Sequence, residues 1–543
     1  MAATSHLLFS SLVLLCAYQY SALRTHSTFT MIPLWILAFL FSKTISDYVY
    51  MYHIKKRAKS LNACLLPIST LSGLRSLSYI LQNVGKRFTT DLFVTIEPRI
   101  LQPNNPGIYN VKNDGPCSRI MITDPHIIKE IFSIPSFTNF GRGEQFKDAF
   151  RLLLGSGIFA NNPDKEWKNN RGLIKPFFSK ERVSNVNIGL VDKTINEFLS
   201  HAKHNEPVDV SDSISLMMFD ISVEYFFGFA YNESNEELFR KNMHAFDRAQ
   251  MNVSYHYFLK RPIGSLLELI PKYSMKKATQ PLYDLIDLFI EKTEKDNAKK
   301  TSQKNKMAED ANERDSFFHY LLTRTSDRKV IYDSSLNILF AARDTTSALV
   351  TSALYEFSQN KVIYEEVRQE VIRLFGTDSI PEDQKVLRDC KLLHAILKET
   401  LRMYPSAPVL GRHCLEDTVV TAKTGTRYFL PRGCDVDIGI AVIHRDKFLW
   451  GDDAEKWDPY RWLDARYERV KSDPSIYVPF SQGPRICPGQ EQGLHIATVF
   501  LVRFIQAFEK VERATDVQPD VVLSHYILLL WQNGMWLRMF PAT

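Results

Sequence analysis

The sequence predicts a mainly α-helical protein with a minor β portion, carried behind an N-terminal membrane anchor. Three observations predict it. Apolar residues recur at helical spacing through most of the chain after Leu71, and no glycine or proline interrupts them from Ile331 to Asn360. Strand signatures are short and few. Two uncharged apolar stretches, Leu7 to Leu23 and Phe29 to Phe41, open the chain.

The first stretch runs seventeen residues without a charge, near the lower limit for crossing a bilayer. One span or two both fit. Tyr48, Tyr50 and Tyr52 precede the basic run Lys55-Lys-Arg57 and Lys59, an interfacial belt followed by positive charge that places the next domain on the cytoplasmic side. A cleaved signal peptide fits less well, because no small-residue cleavage site stands out and a second apolar stretch follows. Residues 1–59 are therefore expected to be anchor and 60–543 the catalytic domain. On this topology the sequons Asn232-Glu-Ser234 and Asn252-Val-Ser254 stay unmodified.

The net charge of +6 over 543 residues is mild and argues against nucleic-acid binding. Seven cysteines, odd in number and with no C-x-x-C pair, argue against a disulfide framework and a zinc site, and for a reducing compartment. No repeat indicates a solenoid.

Within the domain, Asn104-Asn-Pro-Gly107 with Ile108 to Val111 and Ser118 to Ile122 predicts an early hairpin. Lys292 to Arg314 is almost devoid of apolar residues and reads as a solvated helix end and surface loop. Ile331 to Asn360 predicts one long buried helix, followed by helices over Val362 to Phe375 and Leu392 to Arg402. Pro405 stops the last through its clash with Tyr404. Tyr526 to Met539, centred on Gln532-Asn533-Gly534, reads as a second hairpin.

The chemistry centres on Phe480-Ser-Gln-Gly483-Pro-Arg485-Ile-Cys487-Pro-Gly489. Its glycines allow a tight turn and leave room for a flat ligand, and its amides can point at the Cys487 sulfur. By itself a buried cysteine is often only a small hydrophobe. The spacing Phe-x-x-Gly-x-Arg-x-Cys-x-Gly resembles the haem-ligand loop of the cytochrome P-450 superfamily, the haem-thiolate monooxygenases. The resemblance implies the cytochrome P-450 fold and haem b, with Cys487 as axial thiolate to the iron.

Further residues match in order along the chain. Ala341-Ala-Arg-Asp344-Thr345-Thr346 resembles the oxygen-activating signature, although Ala342 stands where glycine is usual; it implies that Thr345 orients water and dioxygen while Asp344 relays protons. Read without the family, Thr345 simply bonds back to a helix carbonyl. Glu399 and Arg402 share a helix face, and with Pro459-Tyr-Arg461-Trp462 they resemble the family's Glu-x-x-Arg and Pro-Glu-Arg-Phe elements, Tyr460 replacing the Glu. Glu399, Arg402 and Arg461 are thereby implied to form a buried network that holds the thiolate loop, a structural role. Trp167 and Arg171, four apart, resemble the haem-propionate clamp, joined by Arg412 and Arg485; as a bare pair they also suit a surface aromatic–cation contact. Gln492-Gly493 departs from the apolar-Ala pair usual after the cysteine. Gly155-Ser-Gly157-Ile-Phe159 through Phe178 resembles fungal, membrane-bound members that hydroxylate alkanes and fatty acids.

These resemblances imply a membrane-anchored monooxygenase of the endoplasmic reticulum, its catalytic domain facing the cytosol. Electrons would come from the NADPH-dependent cytochrome reductase, with cytochrome b5 as a second donor, because no nucleotide-binding glycine fingerprint adjoins a strand–helix unit here. Lys165, Lys168, Lys175, Lys180 and Arg182 form a candidate docking face for it, or a plain solvated surface. The expected substrate is lipophilic: a fatty acid, alkane or lipid-derived intermediate attacked near the chain end. Rival readings are a tailoring oxygenase of terpenoid or polyketide secondary metabolism, a haem-binding or sensing protein without turnover, and a thiolate rearrangement enzyme. The Asp344–Thr345 pair argues against the last two, which need no proton delivery.

Overall fold

The computed structural model describes residues 42, 45–46, 48–65, 107–110, 119–178, 186–229, 233–259, 267–303, 316–378, 380, 384–520, 523–525, 528–531 and 533–542. The apolar stretches Leu7 to Leu23 and Phe29 to Phe41 lie outside these residues, as do Lys180, Arg182 and Asn232. No described helix is long and apolar enough to cross a membrane.

The described chain is helix-rich with small sheets, as its patterning predicts. Short polar side chains start many helices by taking orphan amides. Asp124 accepts from His126 and Ile127 ahead of Pro125–Phe132, and Asp164 accepts from Trp167 at the start of Lys165–Ile174. The early hairpin forms, Ile108–Asn110 antiparallel to Arg119–Ile122. It extends into a five-stranded sheet: Asp435–Ile438 joins in parallel, Leu410–Cys414 follows antiparallel, and Phe140–Gly141 forms the far edge. Residues 48–60 form a helix whose Ile54 and Ala58 pack on Phe429, with Arg57 paired to Asp417 at 3.2 Å.

Two predicted elements differ. The long helix is broken at Arg343 into Arg328–Ala342 and Asp344–Gln359. Thr345 Oγ1 donates to Ala341 O at 2.9 Å and Ser347 Oγ to Arg343 O at 3.2 Å, and such back-bonding competes with the helical ladder and bends helices. The C-terminal hairpin does not form around Gln532-Asn533-Gly534. Leu529–Trp531 pairs instead with Leu523–His525, while Trp536–Pro541 pairs with Phe508–Arg513 and Val208–Asp209. Distant side chains satisfy the turn: Asp209 accepts the Met535 amide at 2.9 Å, and Gln518 donates to the carbonyls of Asn533 and Gly534, each at 3.0 Å. The solvated stretch from Lys292 begins as the end of a helix, Met275–Gln303, and residues 304–315 lie outside the description.

Helices Asp344–Gln359, Lys391–Met403 and Gln490–Ala507 share one apolar core. A second joins Glu144–Leu154, Glu236–Leu259 and Arg328–Ala342, and a third lies under the five-stranded sheet. Gly493 tolerates the close crossing of the first core, since a Cβ there would sit 3.3 Å from Thr346 Oγ1. The Asn252 sequon sits inside Glu236–Leu259 with its side chain buried and its amide donating to Lys272 O at 3.2 Å.

Candidate active site

The Cys487 loop closes on itself. Cys487 N–H donates to Phe480 O at 2.9 Å and Ser481 N–H to Val478 O at 3.0 Å. Ser481 and Gly483 take positive φ of 64° and 67°. At Gly483 no side chain fits, because a Cβ would lie 1.9 Å from Phe132 O. Cys487 keeps accessible surface, yet protein surrounds its thiol closely enough for burial to raise its pKa, against the Gly489 amide and the Arg171 charge that lower it. Left alone the sulfur stays protonated; a bound cation would hold it as thiolate. Four other described cysteines are free thiols, Cys414 and Cys434 with sulfurs 3.3 Å apart.

Beside this loop three arginines converge, each stacked on an aromatic ring: Arg142 on Phe146 at 4.7 Å, Arg412 on Phe132 at 5.2 Å and Arg485 on Trp167 at 5.0 Å. Their hydrogen bonds go to backbone carbonyls. Arg142 and Arg412 donate to Gly411 O at 2.7 and 3.0 Å, and Arg485 to Asn161 O at 2.6 Å. Among the described residues no carboxylate pairs with any of them, and the buried Nε atoms of Arg142 and Arg485 have no partner. Burial presses Arg142 down to about 10 and, with repulsion from Arg142, Arg485 to about 9. Burial, then Arg142 and Arg485, press Arg412 well below its usual value. Guanidinium holds its proton under nearly all conditions, so these directions describe a cationic cage that an anion would relieve.

Trp167, Arg412 and Arg485 thus come together as the sequence suggests. Arg171, four residues on, instead donates to Ile486 O at 2.7 Å, against the thiolate loop. Arg142 carries no motif. It enters the cage because Gly141 pairs with His413, beside Arg412 in the neighbouring strand.

Asp344 is buried at the helix break, with Arg343 on one carboxylate oxygen and Gln250 on the other. The Arg343 guanidinium also binds Asp247, a half-exposed carboxylate whose pKa burial raises and Arg343 lowers. Arg343 thus bridges Asp247 and Asp344 at the helix break, and the neighbouring Thr345 hydroxyl donates to Ala341 O. Gln250 and Asp247 sit on another helix and carry no local signal.

Glu399, Arg402 and Arg461 assemble with almost no exposure. Arg402 grips Glu399 bidentately at 2.8 and 2.9 Å and donates to the carbonyls of His444, Ala454 and Lys456. Glu399 also accepts from the Asp458 amide at 2.8 Å and Trp462 Nε1 at 3.0 Å, while Arg461 reaches Asp453 at 3.1 Å. Every polar atom of the carboxylate is used, which is what makes a buried charge tolerable. Of the docking-face lysines, the described Lys165, Lys168 and Lys175 are exposed.

A family model for cytochrome P-450 matches residues 108–536. The chain belongs to the cytochrome P-450 family. It is 30% identical over 502 residues to cytochrome P-450 52-E3 of Starmerella bombicola, spanning 88% of this chain and 92% of that one. It is 30% identical over 420 residues to cytochrome P-450 52E2 of Candida apicola, 75% and 78% of the two chains, and 27% identical over 541 residues to 52A6 of Candida tropicalis, 94% and 97%. It is accordingly a cytochrome P-450 monooxygenase whose cofactor is haem with a cysteine thiolate axial ligand.

The residues present fit that group. An iron porphyrin needs one soft anionic ligand and partners for its two carboxylates. The chain offers a cysteine on a closed loop and, next to it, three arginines, two of them with orphan buried Nε atoms. Gly489 leaves room for Phe178, since a Cβ there would stand 3.3 Å from its ring.

Proposed function

We propose that this cytochrome P-450 hydroxylates a lipophilic substrate, a fatty acid, alkane or lipid-derived intermediate, near its chain end. One atom of dioxygen enters a C–H bond and the other leaves as water, using two protons and the two electrons of one NADPH delivered by a membrane-bound reductase. The haem supplies oxygen activation. The chain's residues bind and orient it: Cys487 as axial ligand, Arg142, Arg412 and Arg485 on the carboxylates, Trp167 under Arg485, and Arg171 bracing the loop through Ile486 O. Asp344 and Thr345 move protons inward from Asp247, with Arg343 and Gln250 holding the Asp344 carboxylate in place.

The observation that carries this reading is the juxtaposition of the Cys487 loop with buried Arg412 and the half-buried Arg142 and Arg485, none with a carboxylate partner among the described residues. The substrate class rests on similarity to the yeast relatives and on Gly155-Ser-Gly157-Ile-Phe159, with residues 1–59 as the anchor that places the domain at the cytosolic face of the endoplasmic reticulum. The test is twofold. A carbon-monoxide difference spectrum of the reduced holoprotein should show a thiolate-ligated band that Cys487→Ala abolishes. NADPH and oxygen consumption by reconstituted protein, reductase and a lipid panel should yield terminally hydroxylated product. Turnover that persists without reductase overturns the monooxygenase route.

A further inference from the structure

Gly155-Ser-Gly157-Ile-Phe159 takes no part in the steps above, yet its backbone is pinned to the central helix. Asp333 Oδ2 accepts the Ser156 amide at 2.8 Å, and Asn337 Oδ1 accepts the Phe159 amide at 3.3 Å. Asn337 Nδ2 donates to Leu154 O at 2.7 Å. Both glycines answer to these side chains. A Cβ at Gly155 would lie 1.8 Å from Asp333 Oδ1, and one at Gly157 would lie 1.9 Å from Asn337 Nδ2. Asn337 is 3% exposed, so its carboxamide is costly unless its hydrogen bonds are made; the Phe159 amide, Leu154 O and, within its own helix, Asp333 O at 2.6 Å make them.

The far end of the same loop reaches the cage. Asn170 Nδ2 donates to Ser156 O at 3.2 Å and to Asn161 Oδ1 at 2.8 Å, and Asn161 O accepts Arg485 Nη2 at 2.6 Å. Hydrogen bonds therefore run without a gap from the helix just upstream of its break to an arginine of the anion cage. Loop amides held by side chains of a packed helix lose their independent motion, and whatever they hold inherits that rigidity.

We propose that Asn337 and Asp333 are positioning residues: they clamp Gly155–Asn161 to the central helix and thereby hold Arg485 in place for a haem carboxylate. This rests on the reading of the arginine cage as the carboxylate site. It predicts that the central helix and the cofactor's grip are coupled through one loop, without either side chain touching substrate or haem.

The experiment compares holoprotein with its Asn337→Leu variant, which has the same branched skeleton but is unable to hydrogen-bond. Amide hydrogen exchange and haem transfer to apomyoglobin are read in parallel. Amides of 154–161 should exchange about tenfold faster, the loss of roughly one net hydrogen bond, and haem should leave about tenfold faster. Exchange in Gln490–Ala507 and the carbon-monoxide band should stay unchanged. Asp333→Asn, which keeps an acceptor for Ser156, should behave as wild type, and Asp333→Ala should reproduce the loosened loop; the latter also carries the test should Asn337→Leu not fold. Unchanged loop exchange, or acceleration spread evenly over the molecule, overturns the clamp. A loosened loop with unchanged haem release overturns its link to Arg485. Wild-type protein that binds no haem defeats the cage reading instead, and the exchange comparison still decides the clamp.

Discussion

The His444 imidazole bridges Arg402 and Val478: its Nδ1–H faces Arg402 O at 3.2 Å and its Nε2 accepts the Val478 amide at 3.0 Å. This links the buried Glu399–Arg402–Arg461 network to the chain two residues before Phe480, where the cysteine loop starts. Tyr477 stacks on the same ring at 5.2 Å and donates to Lys398 O at 3.0 Å. A network 85 residues upstream in sequence at its Arg402 end thus reaches the thiolate loop through one neutral histidine.

Burial, then the Arg402 charge, press the His444 pKa from 6.5 to about 3. A histidine depressed on folding binds its proton more readily in the unfolded chain, so it withdraws stability as pH falls below 6.5 and continues to do so down to about 3. Urea unfolding should show a loss of about 1.4 kcal/mol per pH unit from this group in that window. His444→Gln should flatten that slope.

Breaking the buried ion pair leaves an uncompensated charge. Glu399→Gln strands Arg402, while Arg461 keeps Asp453, and is expected to cost about 3–5 kcal/mol. Folded yield and denaturant midpoint measure it. Breaking an exposed pair such as Lys471–Glu468 should cost far less in the same assay.

The arginine cage predicts opposite signs with and without cofactor. Removing one of three mutually repelling cations should help the haem-free protein and harm the loaded one. Arg142→Met is expected to stabilise the apoprotein by about 1 kcal/mol and to weaken the holoprotein by about as much. Unfolding curves of both forms check it; a loss in both would show that Arg142 is held by its carbonyl contact alone.

Proton delivery predicts a loss in turnover without a loss in binding. Asp344→Asn should lower kcat by about 100-fold or more, with substrate affinity from spectral titration unchanged. Asp247→Asn, one guanidinium farther from Thr345, should lower it less. An unchanged kcat in Asp344→Asn removes the acid from the relay.

Several site features were legible because their parts are neighbours in the chain. Phe480 to Gly489 is one loop, and Glu399 with Arg402 is one helix turn. Trp167 and Arg171 are also one turn, but the structure sends them to different partners, Arg485 and Ile486 O, since position on a helix face does not say what covers it. Arg142, Gln250, Asp247 and His444 were silent for a different reason. Each acquires its role from an element elsewhere in the chain, and no local spacing encodes that neighbour.

Helical content, the early hairpin, the cysteine loop and the order of charged motifs follow from local periodicity, turn chemistry and spacing, so the sequence by itself determined them. Tertiary structure decided the break at Arg343, the redistribution of the C-terminal strands, the Arg142 seat in the cage and the clamp on Gly155 and Gly157. In each of these a side chain far away in sequence competes with the local hydrogen-bond pattern and wins: Asp209 and Gln518 over a hairpin turn, Asp333 and Asn337 over any residue larger than glycine. Local preferences amount to tenths of a kcal/mol per residue, whereas leaving a buried polar group unpaired costs about 1–3 kcal/mol. Where the two conflict, packing sets the outcome.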